Sequence, residues 1–245
     1  MKTSSANEFI RELSAFKTKA DLEKNLKFLH NPGKDNLCLG VRMGKIFETA
    51  KTYKDLQSSE IVKLLQSEYY EIRMGAVSIL DFIARDKKTD ETKRKEIFDL
   101  YLKNHDRINN WDLVDRSAPH VVGQYLFDKS RKPLYQLAKS KKPMERRTAI
   151  VSTQYFIKYG DLEDTFGIAE ILIKDPEETV QKAIGSWIRE AGKKDEDKLF
   201  VFLDQHSQKL SRIALRAAVE KLDRKHKDFY VTNSKSETKH SKDMK

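Results

Sequence analysis

Apolar residues recur along most of the chain at the three- and four-residue steps of a helix. Phe9, Ile10, Leu13 and Phe16, then Leu22, Leu26 and Leu29, predict one or two amphipathic helices over residues 6–29. Asn31-Pro32-Gly33 reads as a break, after which Val41, Ile46, Phe47 and Ala50 predict a partly helical stretch between Leu37 and Tyr53. From residue 60 the pattern repeats. An alanine followed by an apolar partner marks one kind of helix at Ala76-Val77, Ala149-Ile150, Ala183-Ile184 and Ala214-Leu215, and the last three pairs lie 34 and 31 residues apart. Each is preceded by a shorter apolar helix: Ile61 to Leu65, Leu134 to Leu137, Ile168 to Ile173, and Leu199 to Leu203. Helix pairs at that period predict stacked repeats, since one pair cannot bury its apolar face alone. The 73 residues from Val77 to Ile150 leave room for one more pair, which the stretch around Trp111 fills. The fold expected is all-α, a curved α-solenoid.

Composition agrees. Only 9 Gly and 5 Pro, with 35% charged residues, favour helix over strand. No apolar run reaches the roughly 18 residues of a membrane span, and the N-terminus lacks a signal-peptide core, so a cytoplasmic protein is expected. Cys38 is the lone cysteine. It reads as a small, buried, apolar residue and excludes an internal disulfide or a cysteine-built metal site. The six histidines, His30, His105, His120, His206, His226 and His240, show no metal-ligand spacing. Residues 1–224 read as one repeat domain, and residues 225–245, polar and basic, as a disordered tail. The net charge of +10 favours a polyanionic partner, although a solvated helical surface with a basic tail would carry the same charge.

One run looks chosen for chemistry. In Asn109-Asn110-Trp111-Asp112-Leu113-Val114-Asp115-Arg116-Ser117-Ala118-Pro119-His120, the residues Leu113, Val114, Ser117, Ala118, Val121, Val122 and Tyr125 form a helical stripe. Trp111 and Asp115 stand one turn apart on the same flank. Pro119 should kink or unwind the helix. His120, five residues beyond Asp115, points elsewhere and reads as structural.

Trp-Asp-Leu-Val-Asp followed by Ser-Ala-Pro resembles the AlkD-like DNA alkylation-repair glycosylases, a family built from HEAT-like helical repeats. Three further segments fit: Gly40-Val41-Arg42-Met43, Glu145-Arg146-Arg147-Thr148-Ala149-Ile150, and Gln181-Lys182-Ala183-Ile184-Gly185 with Arg189-Glu190. The resemblance spans most of residues 1–225 and implies that the solenoid is of HEAT-like repeats. It also implies catalytic roles for Trp111, Asp115 and Arg147, and DNA contacts from Arg42, Arg146, Lys182, Ser186 and Arg189. The alternative from the residues alone is that either Arg146 or Arg147 merely snorkels or pairs with Glu145. The chain departs from the family at Ser186, where a second active-site tryptophan is expected. Trp187 comes one residue later, about 100° around the helix, in register with Ala183, Ile184, Ile188 and Ala191, and so reads as core.

What the resemblance implies is excision of N3- and N7-alkylated purines from duplex DNA without a base-flipping pocket, by a monomer needing no cofactor, metal or membrane. The absence of a glycine-rich nucleotide loop fits. An alkylpurine is already cationic, so one carboxylate suffices to stabilise the oxocarbenium sugar and hold water; Asp115 is that group. Two readings stay open at this point: a glycosylase, or a non-excising HEAT-repeat protein binding DNA or another protein, suggested by Ser186.

Overall fold

The computed structural model describes residues 4–27, 29, 33 and 36–233. The Asn31-Pro32 part of the expected break, His30, His240 and the chain after residue 233 lie outside them. The chain divides into two compact units, Met1–Lys129 and Ser130–Lys245. Both are helical repeat assemblies. Extended pairing among the described residues amounts to isolated bridges, Gly33 with Asn36 and Leu37 with Tyr69.

The first unit holds α1 (Ala6–Ser14), α2 (Lys19–Leu26), α3 (Met43–Thr52), α4 (Ser58–Leu65), α5 (Tyr70–Arg85), α6 (Glu91–Lys103) and α7 (Trp111–Ala118). Starts follow local chemistry: Ser5 and Glu8 form a reciprocal capping box on α1, and Thr18 and Asp90 cap α2 and α6. The expected pairing holds, with α4 packed on α5, and α5 on α7. Phe9, Leu13, Ile46, Ile61, Leu65, Val77 and Leu80 are fully buried between these helices. Pro119 does not end the helix of α7. From Pro119 to Gln124 the chain continues as π-helical turns, the wider spacing being one way to accommodate a residue without an amide hydrogen.

Residues 37–42 hold together through one acid. Glu71, fully buried on α5, accepts hydrogen bonds from the amides of Leu39 (2.9 Å), Gly40 (2.9 Å) and Val41 (3.4 Å) and from Asn25 Nδ2 (2.9 Å). Gly40 has φ +86°, and a Cβ there would fall 2.5 Å from the Thr18 carbonyl oxygen, so glycine is required. This knot explains a departure from the expected pattern on α2. Leu26 is 45% exposed, while Asn25 is buried with its amide on Glu71 and the Val41 carbonyl.

The second unit holds α8 (Lys132–Ala138), α9 (Pro143–Ser152), α10 (Gln154–Lys158), α11 (Glu163–Ile171), α12 (Glu178–Gly192), α13 (Glu196–His206), α14 (Arg212–Ala218) and α15 (Arg224–Asn233). The alanine-marked helices are α9, α12 and α14, and α12 packs on both of the others. Gly185 makes the α12–α14 approach close: a Cβ there would sit 2.3 Å from the Ala214 carbonyl oxygen. Trp187 packs, partly buried, against Ile157, Leu162 and Ala191. The part of the expected tail that lies among the described residues is ordered. Arg224–Asn233 is helical, tied down by Tyr230, which is buried and donates to Asp204 at 2.7 Å. One aromatic supplies an anchor that average polarity conceals.

No helix among the described residues is long and apolar enough to cross a membrane.

Candidate active-site cleft

The segment before α7 is fixed by arginines. Arg73, fully buried on α5, donates to the Ser67 carbonyl (2.7 Å) and to Asn109 Oδ1 (3.1 Å), and Arg107 donates to the Ser67 carbonyl at 3.0 Å. Those bonds set where α7 starts. Trp111 is its first residue, preceded by the buried Asn110. Leu113, Val114, Ser117 and Ala118 turn inward, and the buried Ser117 hydroxyl donates to the Leu113 carbonyl at 2.7 Å. With that face committed to the core, Trp111, Asp112, Asp115 and Arg116 remain partly exposed. They line a cleft of about 520 Å³ with residues of α2, α3 and α5, among them Met43, Phe47, Tyr70 and Met74.

Two carboxylates share this cleft. Asp115 sits one turn above Trp111. Asp112 accepts from Asn110 Nδ2 at 2.6 Å and from the Tyr70 hydroxyl. Burial pushes the Asp112 carboxyl above the ordinary carboxylate range, opposed by those donors. The Tyr70 hydroxyl is likewise raised, by burial first and by the Asp112 charge next. Arg116 is held on three sides. It donates to buried Asp81 at 2.6 Å and to Ser78 Oγ at 3.1 Å, and its guanidinium lies 4.7 Å from the centre of the Phe47 ring and 4.9 Å from that of Phe82. Burial lowers its pKa, with Asp81 acting the other way. His120 Nδ1 meets the second Asp81 oxygen at 2.8 Å, in keeping with a structural role.

Of the residues singled out in the sequence, Trp111, Asp115 and Arg42 line this cleft; Arg42, exposed, precedes the first turn of α3. The other five belong to the second unit. Arg147 is only 7% exposed and donates to the Thr179 carbonyl. Arg146 pairs with Asp175, Nη2 to Oδ1 at 2.9 Å, and donates to the carbonyls of Ser140 and Lys141, both at 3.1 Å. It therefore pairs with Asp175 rather than, as one sequence reading allowed, with Glu145. Lys182 is exposed and bridged to Glu178 at 2.6 Å; Arg189 bridges Glu190 and Glu220; Ser186 is partly buried on α12. Cys38 is only half-buried, and desolvation pushes its thiol up to about 12. Among the described residues no three His, Cys, Asp or Glu side chains gather as a metal's ligands would.

Sequence reasoning missed Phe47, Tyr70, Met74 and Asp81. The cleft is built from long side chains of four helices, which no local glycine motif announces. Asp112 was within reach, being the other acid of the Trp111–Asp115 run.

The family described as DNA alkylation repair enzyme matches residues 9–222. Among solved structures, a predicted DNA alkylation repair enzyme from Enterococcus faecalis is similar, with a TM-score of 0.65 and 14% identity over 85% of this chain and 97% of that one. AlkD2 from Streptococcus mutans aligns with a TM-score of 0.51 and 19% identity, over 89% of this chain and 97% of the other. The protein smu.31 from Streptococcus mutans UA159 gives 0.51 and 19%, over 90% and 100%. At these identities the likeness concerns the fold. No match was found among curated proteins.

Proposed function

The chain belongs to the DNA alkylation repair enzyme family, and on that premise we propose that it is a DNA glycosylase acting on duplex DNA to release positively charged N3- and N7-alkylpurines. The observation that carries this reading is that Trp111 and Asp115, one helical turn apart on α7, line the same cleft. Alkylation at N3 or N7 leaves the purine cationic, so the bond between C1′ and the base nitrogen can break with its electron pair leaving on the base. The departing base becomes neutral without protonation by an acid. Positive charge then develops on the sugar. A carboxylate already fixed beside it stabilises that charge without reorganisation, which is the largest catalytic contribution in many enzymes. Asp115 is assigned this role and that of holding the water that attacks C1′, its carboxylate taking up the proton the water gives up. Trp111 presses a ring against the sugar or the cationic base, an attraction of about 0.5–2 kcal/mol.

Phosphates are the work of cations. The net charge of +10 supports a DNA partner, and Arg42 is an exposed cation on the cleft rim, as is Lys24. Lys182 and Arg189 are assigned to the backbone on the second unit. Arg147, anchored on the Thr179 carbonyl, is assigned to a flanking phosphate through what remains exposed.

A second reading, a DNA-binding member that does not excise, is favoured by one observation. Trp187 packs against Ile157, Leu162 and Ala191, leaving Ser186 where the family's second tryptophan is expected. Release of base from methylated duplex DNA separates the two readings, since the second predicts salt-sensitive binding and no free base.

A further inference from the structure

We propose, resting on the reading of α7 as the helix that meets the DNA, that Arg116 holds a backbone phosphate beside the lesion and that Asp81 is the positioning residue that presents it. Arg116 follows Asp115 on α7 and lines the cleft with it. A guanidinium carries five N–H donors, and this one is only partly spent. Nε donates to Ser78 Oγ at 3.1 Å and Nη1 to Asp81 at 2.6 Å, while Nη2 donates to no partner among the described residues. The side chain is 17% exposed, so its unspent donors can be reached from the cleft.

The group is also held still. Phe47 and Phe82 lie 4.7 and 4.9 Å from it, and the fully buried Asp81 fixes it from α5. A fork fixed in this way loses little further freedom on taking an anion, whereas the exposed Lys24 and Arg42 must first be ordered. Charge sets the kind of ligand. Asp81 also meets Arg85 at 3.5 Å and His120 Nδ1 at 2.8 Å. One carboxylate therefore faces two guanidiniums, an excess of one positive charge before His120 is counted. A staple between α5 and α7 needs no such excess, and a buried ion pair contributes little net stability. A phosphodiester answers both the charge and the planar fork. In DNA every sugar is flanked by phosphates, so an acid and a fixed guanidinium on successive residues of α7 match one sugar and its neighbouring phosphate.

The test is binding of the full-length protein to a duplex with one tetrahydrofuran abasic site, the phosphate on either side being replaced in turn by an uncharged methylphosphonate. For the wild type, one of these replacements is expected to weaken binding by about tenfold, the scale of a charge-assisted hydrogen bond. In Arg116→Gln the same replacement should cost no more than about twofold, as for uncoupled sites. Asp81→Asn keeps the Arg116 charge but frees the side chain. It should retain the wild-type slope of log affinity against log salt while losing most of the sensitivity to that one phosphate. Arg116→Lys, with the charge but not the fork, should fall between wild type and Arg116→Gln, and serves if the latter does not fold. Full sensitivity in the Arg116 variants, or none in the wild type at either phosphate, overturns the inference, and full sensitivity in Asp81→Asn overturns the role of Asp81. Base release from methylated duplex, measured on the same preparations, keeps the two readings distinct. Release without coupling to a phosphate overturns the Arg116 contact alone. Coupling without release supports the contact and removes the glycosylase.

Discussion

The Tyr70 hydroxyl at the start of α5 donates a hydrogen bond to the Asp112 carboxylate in the first turn of α7, joining the two helices at the cleft. The bond places a partly buried charge at the cleft, and its pH behaviour can be predicted. Because the folded-state pKa of Asp112 is raised, the native protein binds its proton more readily than the unfolded chain. Stability therefore falls as pH rises from the ordinary carboxylate pKa to the raised value, and this contribution is flat outside that window. Asp112→Asn is expected to flatten that part of the urea-stability profile. A variant profile retaining the full fall would assign it to another group.

Glu71 is expected to matter more for stability than any residue lining the cleft. It satisfies the amides of Leu39, Gly40 and Val41 in a fully buried setting. Glu71→Ala should cost about 3–5 kcal/mol, the range for leaving buried polar partners uncompensated. Urea denaturation measures it, and a loss below about 1 kcal/mol would mean water replaces the carboxylate without penalty.

The two tryptophans should separate by phenotype. Trp187 packs against Ile157, Leu162 and Ala191, so Trp187→Ala is expected to destabilise by about 3 kcal/mol through the cavity it leaves. Trp111→Ala should instead lower the rate of base release while shifting the thermal midpoint little. Reversal of the two phenotypes would exchange their roles.

Among the arginines, exposure predicts which assay responds. Arg42→Ala should weaken DNA binding about equally across sequences and reduce the slope of log affinity against log salt by about 1. Arg146→Ala should appear chiefly as instability, because it strips the guanidinium from Asp175, whose side chain is 2% exposed. An unchanged salt slope in Arg42→Ala would take that residue out of the DNA contact.

Much of this molecule was legible in its apolar spacing. The alanine-marked helices and their shorter partners are where periodicity puts them, the added pair is α6 with α7, and one step of register pointed Trp187 at the Ile157, Leu162 and Ala191 cluster, where it is partly buried. Long-range features were not legible. Asn25 is buried because Glu71, distant in sequence, needs a donor, and no local pattern encodes that demand. The helix of Arg224–Asn233 depends on one aromatic contact to Asp204. Arg146 carries the right motif, yet its partner Asp175 lies on a connection that the motif does not include. The cleft itself arises from Phe47, Tyr70, Met74 and Trp111 on three helices, a coincidence visible only after folding.

Single-turnover release of N7-methylguanine from methylated duplex DNA, by wild type and by Asp115→Asn, tests the central claim most directly. The account predicts release by the wild type and a loss of at least about tenfold in the variant, with DNA affinity unchanged, as expected when a preorganised charge is removed. Equal rates in the two proteins, or no release by either, would contradict it.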